Sequence, residues 1–179
     1  SLSEPLKLMT WLKETIKPPI KANKDISWVS PIGMRVYQGY KESFSQRITT
    51  AIGTKVRKQT HYKEYKSTLS LKKNLAGIVP NYIHSLDASV MLMTTNLMKE
   101  KGINNLSMIH DSYATHASDS YELAKGLREI AVDTFNNNLL ISFNNDIRDS
   151  YPDNQESPGQ LKQGILNIQQ LTESLYFFS

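Results

Sequence analysis

The sequence lacks cysteine and long apolar runs, and each absence excludes a class of protein. Without cysteine, its 179 residues cannot form a disulfide framework or a thiolate metal site. No stretch approaches the about 18 consecutive apolar residues that a membrane-spanning helix needs, and no cationic leader precedes an apolar segment at the start. We therefore expect no membrane span and no targeting peptide within these residues. The length fits one domain, 1–179, and the abrupt start inside a helical pattern suits a fragment of a larger protein.

Positive charge is concentrated in the middle of the chain. Residues 41–73 contain nine Lys or Arg against Glu42 and Glu64, whereas residues 101–179 contain five against ten acids. Cations interleaved with the aromatic residues Tyr40, Phe44, Tyr62 and Tyr65 suit contact with nucleic acid through phosphates and stacking. The same polarity is typical of an exposed, mobile loop, so both interpretations stay open.

Apolar periodicity and turn residues predict a mainly helical α+β fold with short antiparallel β-hairpins. Helices are predicted over residues 4–16, 81–101, 120–137 and 139–151. Pro18-Pro19 and Pro152 should end the first and the last of them, and a capping box at 119–122 should start the third. Residues 26–40 are predicted to form a hairpin that turns at 31–33, and residues 17–25 and 153–164 should be a connector and a loop.

The stretch LSMIHDSYATHA, residues 106–117, predicts a second hairpin with an acid at its tip. Leu106, Met108 and Ile109 can bury one strand, and Asp111-Ser112 supply turn chemistry. The carboxylate of Asp111 would then be exposed on a rigid support. A site for Mg²⁺ needs such a group, because this ion takes one or two protein carboxylates and completes its octahedron with phosphate and water. Taken alone, such a stretch is more commonly a strand that ends in an ordinary Asp turn.

Two motifs in order carry a resemblance to a known family. PNYIHSLDASVML at 80–92, followed by MIHDSYATHA, resembles the C-terminal palm region of the single-subunit, phage-type DNA-directed RNA polymerases, the mitochondrial branch most closely. WVSPIG at 28–33, Gln38 and the terminal YFFS fall in the family's order. The resemblance covers nearly the whole chain and implies the C-terminal part of a polymerase palm and fingers.

The resemblance implies roles for particular residues. Asp111 matches one of the two catalytic, metal-binding aspartates, with Mg²⁺ as the cofactor, and His110 and Ser112 support it. His84 matches a residue that contacts the growing RNA end, and Lys72 and Lys73 are the best candidates for contacts with the nucleic-acid backbone. On a helix, His84 and Asp87 share one side, so they either cap neighbouring loops or face the nucleic-acid cleft.

The implied partners are a DNA template, the RNA product, nucleoside triphosphates and the rest of the polymerase chain. The expected compartment is the mitochondrion, with a plastid or a plasmid or phage gene as alternatives. No counterpart of the family's second catalytic Asp, nucleotide-binding Lys or fingers Tyr is found, so the fragment alone should be inactive. The terminal aromatic residues 176–178 should dock rather than stay in water.

Two other functions compete with a polymerase. A metal-dependent phosphohydrolase would use His110-Asp111 together with His84 and His116. A non-catalytic nucleic-acid-binding module would depend on the basic stretch alone.

Overall fold

The computed structural model describes residues 3–52, 56–152, 158–159, 161, 164 and 166–174. Within them lie three antiparallel hairpins and four α-helices, followed in part by short 3₁₀ turns, so the predicted α+β class is confirmed. The helices are α1 Ser3–Lys21, α2 Leu71–Glu100, α3 Ser120–Asn136 and α4 Leu139–Ser150. The strands are β1 Ile26–Val29, β2 Arg35–Gln38, β3 Lys41–Ile52, β4 Val56–Leu69, β5 Ser107–Ile109 and β6 Ser112–Ala114, paired in that order as β1–β2, β3–β4 and β5–β6.

Helix α1 continues through Pro18 and Pro19, so the prediction that they end it is wrong. The carbonyl of Pro18 accepts from the Ala22 N–H at 3.0 Å and that of Pro19 from the Lys24 N–H at 2.9 Å. Ile16, Pro19 and Ile20 are buried, and burial of this face outweighs the two donors that the prolines lack. The predicted connector is correspondingly shorter than 17–25.

The hairpin β1–β2 forms as predicted, and its motif residues join it to α2. Gly33 takes a φ of 87°, which glycine adopts without steric cost. The buried Trp28 donates from its indole N–H to Ser85 Oγ at 3.0 Å. The buried Gln38 donates to the Asn74 carbonyl at 2.9 Å and accepts from Asn81 at 2.8 Å. These bonds satisfy polar groups that burial would otherwise penalise.

Helix α2 begins ten residues before the predicted start at 81, which is a second correction. Ser70 is its N-cap and accepts from the Lys73 N–H. Pro80 lies inside the helix on an exposed position, between the buried Ile78 and Tyr82, so core packing on both sides carries the helix past it. The predicted end is confirmed, since Gly102 has a φ of 79° just after the last turn. The 30 residues of α2 span about 45 Å.

The basic stretch is an extended ribbon, so its interpretation as a mobile loop is wrong. β3 and β4 pair from Lys41↔Leu69 to Ile52↔Val56. The base of the ribbon is fixed by the Ser70 N–H, which donates to the Tyr40 carbonyl at 2.8 Å, and by the Leu69 N–H, which donates to Asn23 Oδ1 at 2.7 Å. A search for alternating apolar residues does not detect β3 and β4, because serines and threonines occupy many of their positions.

Two hydrophobic clusters hold the elements together. The larger joins α1, β1, α2 and α4 around Trp28 and Phe143, and the smaller joins α2 and α3 through Met98, Ile103, Leu123 and Leu127. Helices α3 and α4 agree with their predicted spans. The capping box at 119–122 is wrong, because the Asp119 side chain makes no capping bond and Glu122 pairs with Lys101 at 3.2 Å instead. None of the described helices is long and apolar enough to cross a membrane.

Candidate active site

Asp111 lies at the tip of the short hairpin β5–β6, as the sequence predicted. Ile109 pairs with Ser112, so the turn consists of His110 and Asp111, and Ser112 belongs to the strand rather than to the turn. His110 has a φ of 54°, a left-handed conformation that costs a residue with a side chain about 1 kcal/mol or more. The Asp111 side chain is exposed. A strained turn therefore presents one carboxylate to the outside.

The hairpin is held from behind by the smaller hydrophobic cluster. Tyr113 packs against that cluster, and Thr95 Oγ1 lies 3.6 Å from the sulfur of Met108. At the base, Thr115 donates to the Asn105 carbonyl at 2.8 Å. The opposite face stays open, with Ile109 exposed by 70%. Asp111 thus stands on a supported hairpin whose outer face has no cover among the described residues.

A second carboxylate, that of Asp87, lies near Tyr113 of this hairpin. Burial raises the pKa of its hydroxyl, and the negative charges of Asp87 and Asp111 raise it further, because both disfavour a tyrosinate. Asp87 belongs to α2 and is half-buried. The fold therefore brings Asp87 of α2, like Asp111, close enough to Tyr113 for its charge to act on the hydroxyl. The sequence showed Asp87 only as a neighbour of His84, because nothing local links α2 to the hairpin.

His84 is exposed on α2, one turn before Asp87. Among the described residues its ring has no hydrogen-bond partner, which favours an outward-facing role over the capping alternative. It shares a side of the helix with Asp87. His84 thus lies exposed on the same side of α2 as Asp87.

Lys72 and Lys73 lie in the first turn of α2, about 21 Å along the helix axis from Asp87. Their environments differ. The ammonium of Lys73 donates to Ser43 Oγ at 2.9 Å and to the Lys41 carbonyl at 3.2 Å. Lys72 is exposed and has no such bond within the described part of the chain. The two lysines belong to the base of β3–β4 and are not part of the group around Asp111.

The donor atoms near the hairpin suit a hard cation. Over the residues that the structure describes, no three His, Asp or Glu side chains converge to hold a metal ion. A carboxylate such as that of Asp111 is a ligand type that Mg²⁺ takes, and this ion needs few protein ligands when phosphate and water complete its shell. A site for zinc, iron or nickel would draw on several imidazoles, and His84, His110 and His116 form no such group.

Comparisons with known proteins agree on one family. A family model described as DNA-dependent RNA polymerase matches residues 5–173. The chain is 31% identical to the mitochondrial DNA-directed RNA polymerase 1 of Nicotiana sylvestris, over 96% of this chain and 16% of that protein. It is 31% identical to the DNA-directed RNA polymerase of Enterobacteria phage T3, over 96% of this chain and 21% of the phage protein. A shorter relative, DNA-directed RNA polymerase 1A of Nicotiana tabacum, is 32% identical and is covered over 97% of its length.

Proposed function

Because the chain belongs to the DNA-dependent RNA polymerase family, we propose that it forms the C-terminal palm portion of an enzyme that adds nucleotides to an RNA 3′ end on a DNA template. It spans 16% of the length of the mitochondrial relative from Nicotiana sylvestris. The rest of the polymerase chain supplies the second catalytic carboxylate and the groups that bind the nucleotide. The exposed carboxylate of Asp111 on its supported turn carries this proposal.

Asp111 contributes one anionic ligand to the metal site of this reaction. Mg²⁺ held there would activate the attacking 3′ hydroxyl and neutralise the triphosphate during in-line displacement. Tyr113 and Met108 hold the hairpin from behind, and His110 sets the turn that aims the carboxylate. Ser112 extends the strand pairing directly after the turn. Asp87 adds negative potential near Tyr113 of this hairpin.

The nucleic-acid contacts come from α2 and the base of β3–β4. His84 faces outward one turn from Asp87 and contacts the growing RNA end. Lys72 meets the phosphate backbone with an unengaged ammonium, whereas Lys73 mainly holds β3 in place through Lys41 and Ser43. Relatives are named as mitochondrial, chloroplastic or phage polymerases. We place the parent enzyme in the mitochondrion, with a plastid or a plasmid or phage gene as alternatives.

Replacing Asp111 by Asn in the full-length polymerase tests the proposal. The change removes a metal-binding charge from an exposed turn, so nucleotide addition should fall by about a thousandfold or more. Thermal unfolding and template binding should stay nearly unchanged, because the side chain is exposed. Extension of a primed template by one nucleotide measures the effect.

His110→Ala is the matched control in the same turn. It should be milder than Asp111→Asn, because His110 shapes the turn and is not a ligand. Substantial RNA synthesis by the Asp111→Asn enzyme would refute the role of Asp111 as a metal ligand.

A non-catalytic nucleic-acid-binding module is the second candidate, because the ribbon β3–β4 concentrates cations on an exposed element. It requires Asp111→Asn to leave every activity of the protein unchanged, so the same experiment separates the two functions. The phosphohydrolase has no comparable support, since the described histidines do not gather around Asp111.

A further inference from the structure

The strand register divides the ribbon β3–β4 into two chemically different faces. Residues directly opposite each other share a face, and successive residues alternate between faces. The pairs Ser43↔Tyr65, Ser45↔Lys63 and Arg47↔His61 therefore lie together. The Lys63 ammonium is 5.8 Å from the centroid of the Tyr65 ring, and Ser45 Oγ is 3.4 Å from His61 Nδ1. We call this the cationic face.

The other face is apolar in its middle, and we call it the apolar face. There it carries the pairs Phe44↔Glu64, Gln46↔Tyr62 and Ile48↔Thr60, with Glu64 as their single charge. Phe44 is 40% exposed, Ile48 43% and Tyr62 54%. Charges flank this middle on the same face: Glu42 and Lys66 form an ion pair of 3.3 Å at the base, and Lys58 stands opposite Thr50 further out. The register thus places Tyr65 beside Lys63 and puts Phe44 and Tyr62 on the opposite face.

An isolated two-stranded ribbon is at best marginally stable in water and needs a further layer. In the described part of the chain, β3 and β4 pair with each other, and no helix packs extensively on either face. The attachment is at the base, through Lys73, Ser70 and Asn23. The cationic face can be covered by phosphates. The exposed Phe44, Ile48 and Tyr62 in the middle of the apolar face offer phosphates no cation, so this part needs a different cover.

We propose that the apolar face of β3–β4 docks against protein from the same polymerase chain, outside these 179 residues, through an apolar surface with a Lys or Arg placed opposite Glu64. This rests on the proposed function only in that the chain is part of a longer polymerase. The match to 16% of the mitochondrial relative shows how much of such a chain lies elsewhere. With the ribbon seated on this side, its cationic face points away from the protein.

Two tyrosines on β4 provide a matched test in the full-length polymerase. Tyr62 lies on the apolar face and Tyr65 on the cationic face, and both are exposed here, by 54% and 63%. The measurement is limited proteolysis of the ribbon in the absence of nucleic acid. Tyr62→Ser should speed cleavage within residues 41–69 by about tenfold, because it weakens the docked state. Tyr65→Ser should leave the cleavage rate unchanged.

Three outcomes would overturn the proposal. Equal cleavage rates for both variants would mean that no protein covers the apolar face. Cleavage that slows with rising protein concentration, with a dimer in sedimentation, would assign the face to a second copy. Weaker nucleic-acid binding by Tyr62→Ser, with cleavage unchanged, would assign it to base stacking. None of these readouts depends on nucleotide addition, so failure here is distinct from failure of the catalytic role of Asp111.

Discussion

At the residue scale, Tyr82 is a polar side chain in an apolar setting. It is 3% exposed, and its ring centroid lies 4.8 Å from that of Phe143 and 6.2 Å from that of Trp28. Its hydroxyl has no hydrogen-bond partner among the described residues. A buried hydroxyl without a partner loses its bonds to water on folding and gains nothing in return. The aromatic ring of Tyr82 thus stabilises the core, whereas its unpaired hydroxyl oxygen lowers the stability of the fold.

Tyr82→Phe should therefore raise the stability of the polymerase by about 1 kcal/mol, since it removes only the unpaired oxygen. Ser85→Ala is the matched control, because that hydroxyl is also buried but accepts from Trp28 at 3.0 Å and donates to the Tyr82 carbonyl at 2.7 Å. The control should lower stability by a similar amount. Chemical denaturation of both variants measures the difference, and a destabilised Tyr82→Phe would contradict the absence of a partner.

The same residue predicts a dependence on alkaline pH. Burial raises the pKa of Tyr82 above its ordinary value, whereas the unfolded chain ionises near about 10. Above that pH the unfolded state binds fewer protons than the folded state, so the free energy of unfolding falls as pH rises. Tyr82→Phe should lessen this fall. Stability of both proteins measured from pH 8 to pH 11 checks the sign.

At the element scale, the helices show where local rules fail. Proline predicts a helix end, yet α1 passes Pro18-Pro19 and α2 passes Pro80. Each prolyl ring removes one donor, while the buried residues around it, such as Ile16 and Ile78, contribute more through packing. The ends at Gly102 and before Pro152 were predicted correctly. Tertiary packing around Pro18, Pro19 and Pro80, which no local pattern reports, carries α1 and α2 past these prolines.

The first turn of α2 predicts different effects for two adjacent lysines. Lys72→Ala should flatten the dependence of nucleic-acid affinity on log salt by about one unit, because its exposed ammonium is available to a phosphate. Lys73→Ala should change that slope less and loosen the base of β3–β4, since its ammonium bonds Ser43 and Lys41. Salt titration of binding and hydrogen exchange at residues 41–43 separate the two effects. An unchanged slope for Lys72→Ala would make it an ordinary solvated lysine.

At the scale of the whole molecule, the features that were predicted correctly are those that short stretches of sequence specify by themselves. The fold class, the hairpin at 26–40 and the exposed tip at Asp111 follow from turn residues and strand patterns within a few positions. The approach of Asp87 to Tyr113 joins residues from different elements and depends on how α2 packs behind β5–β6. The two faces of the ribbon also needed the strand register, which its serines and threonines did not reveal.

The terminal aromatic residues 176–178 remain a prediction, because they lie outside the described residues. The last described residue before them is held firmly: Arg128 donates to the Ser174 carbonyl from Nε at 3.2 Å and from Nη2 at 3.0 Å. If these residues dock at the site, deleting 177–179 from the full-length polymerase should lower nucleotide addition more than it lowers the melting temperature, because the loss then falls on the site rather than on the core. Full activity of the deletion variant, with Ser179→Ala as its control, would contradict a functional tail.

The alternation of side chains along β3 and β4 also governs how this gene can gain or lose codons. Removing one opposed pair at the far end shortens the ribbon by about 3.4 Å and leaves every remaining residue on its own face. Removing one residue from each strand close to Tyr40 and Leu69 turns everything beyond them to the other side. Such a deletion turns Arg47 and Lys63 to the side on which Phe44 and Tyr62 now lie. Length can therefore drift at the outer end during evolution, while the root of the ribbon is held to a fixed count.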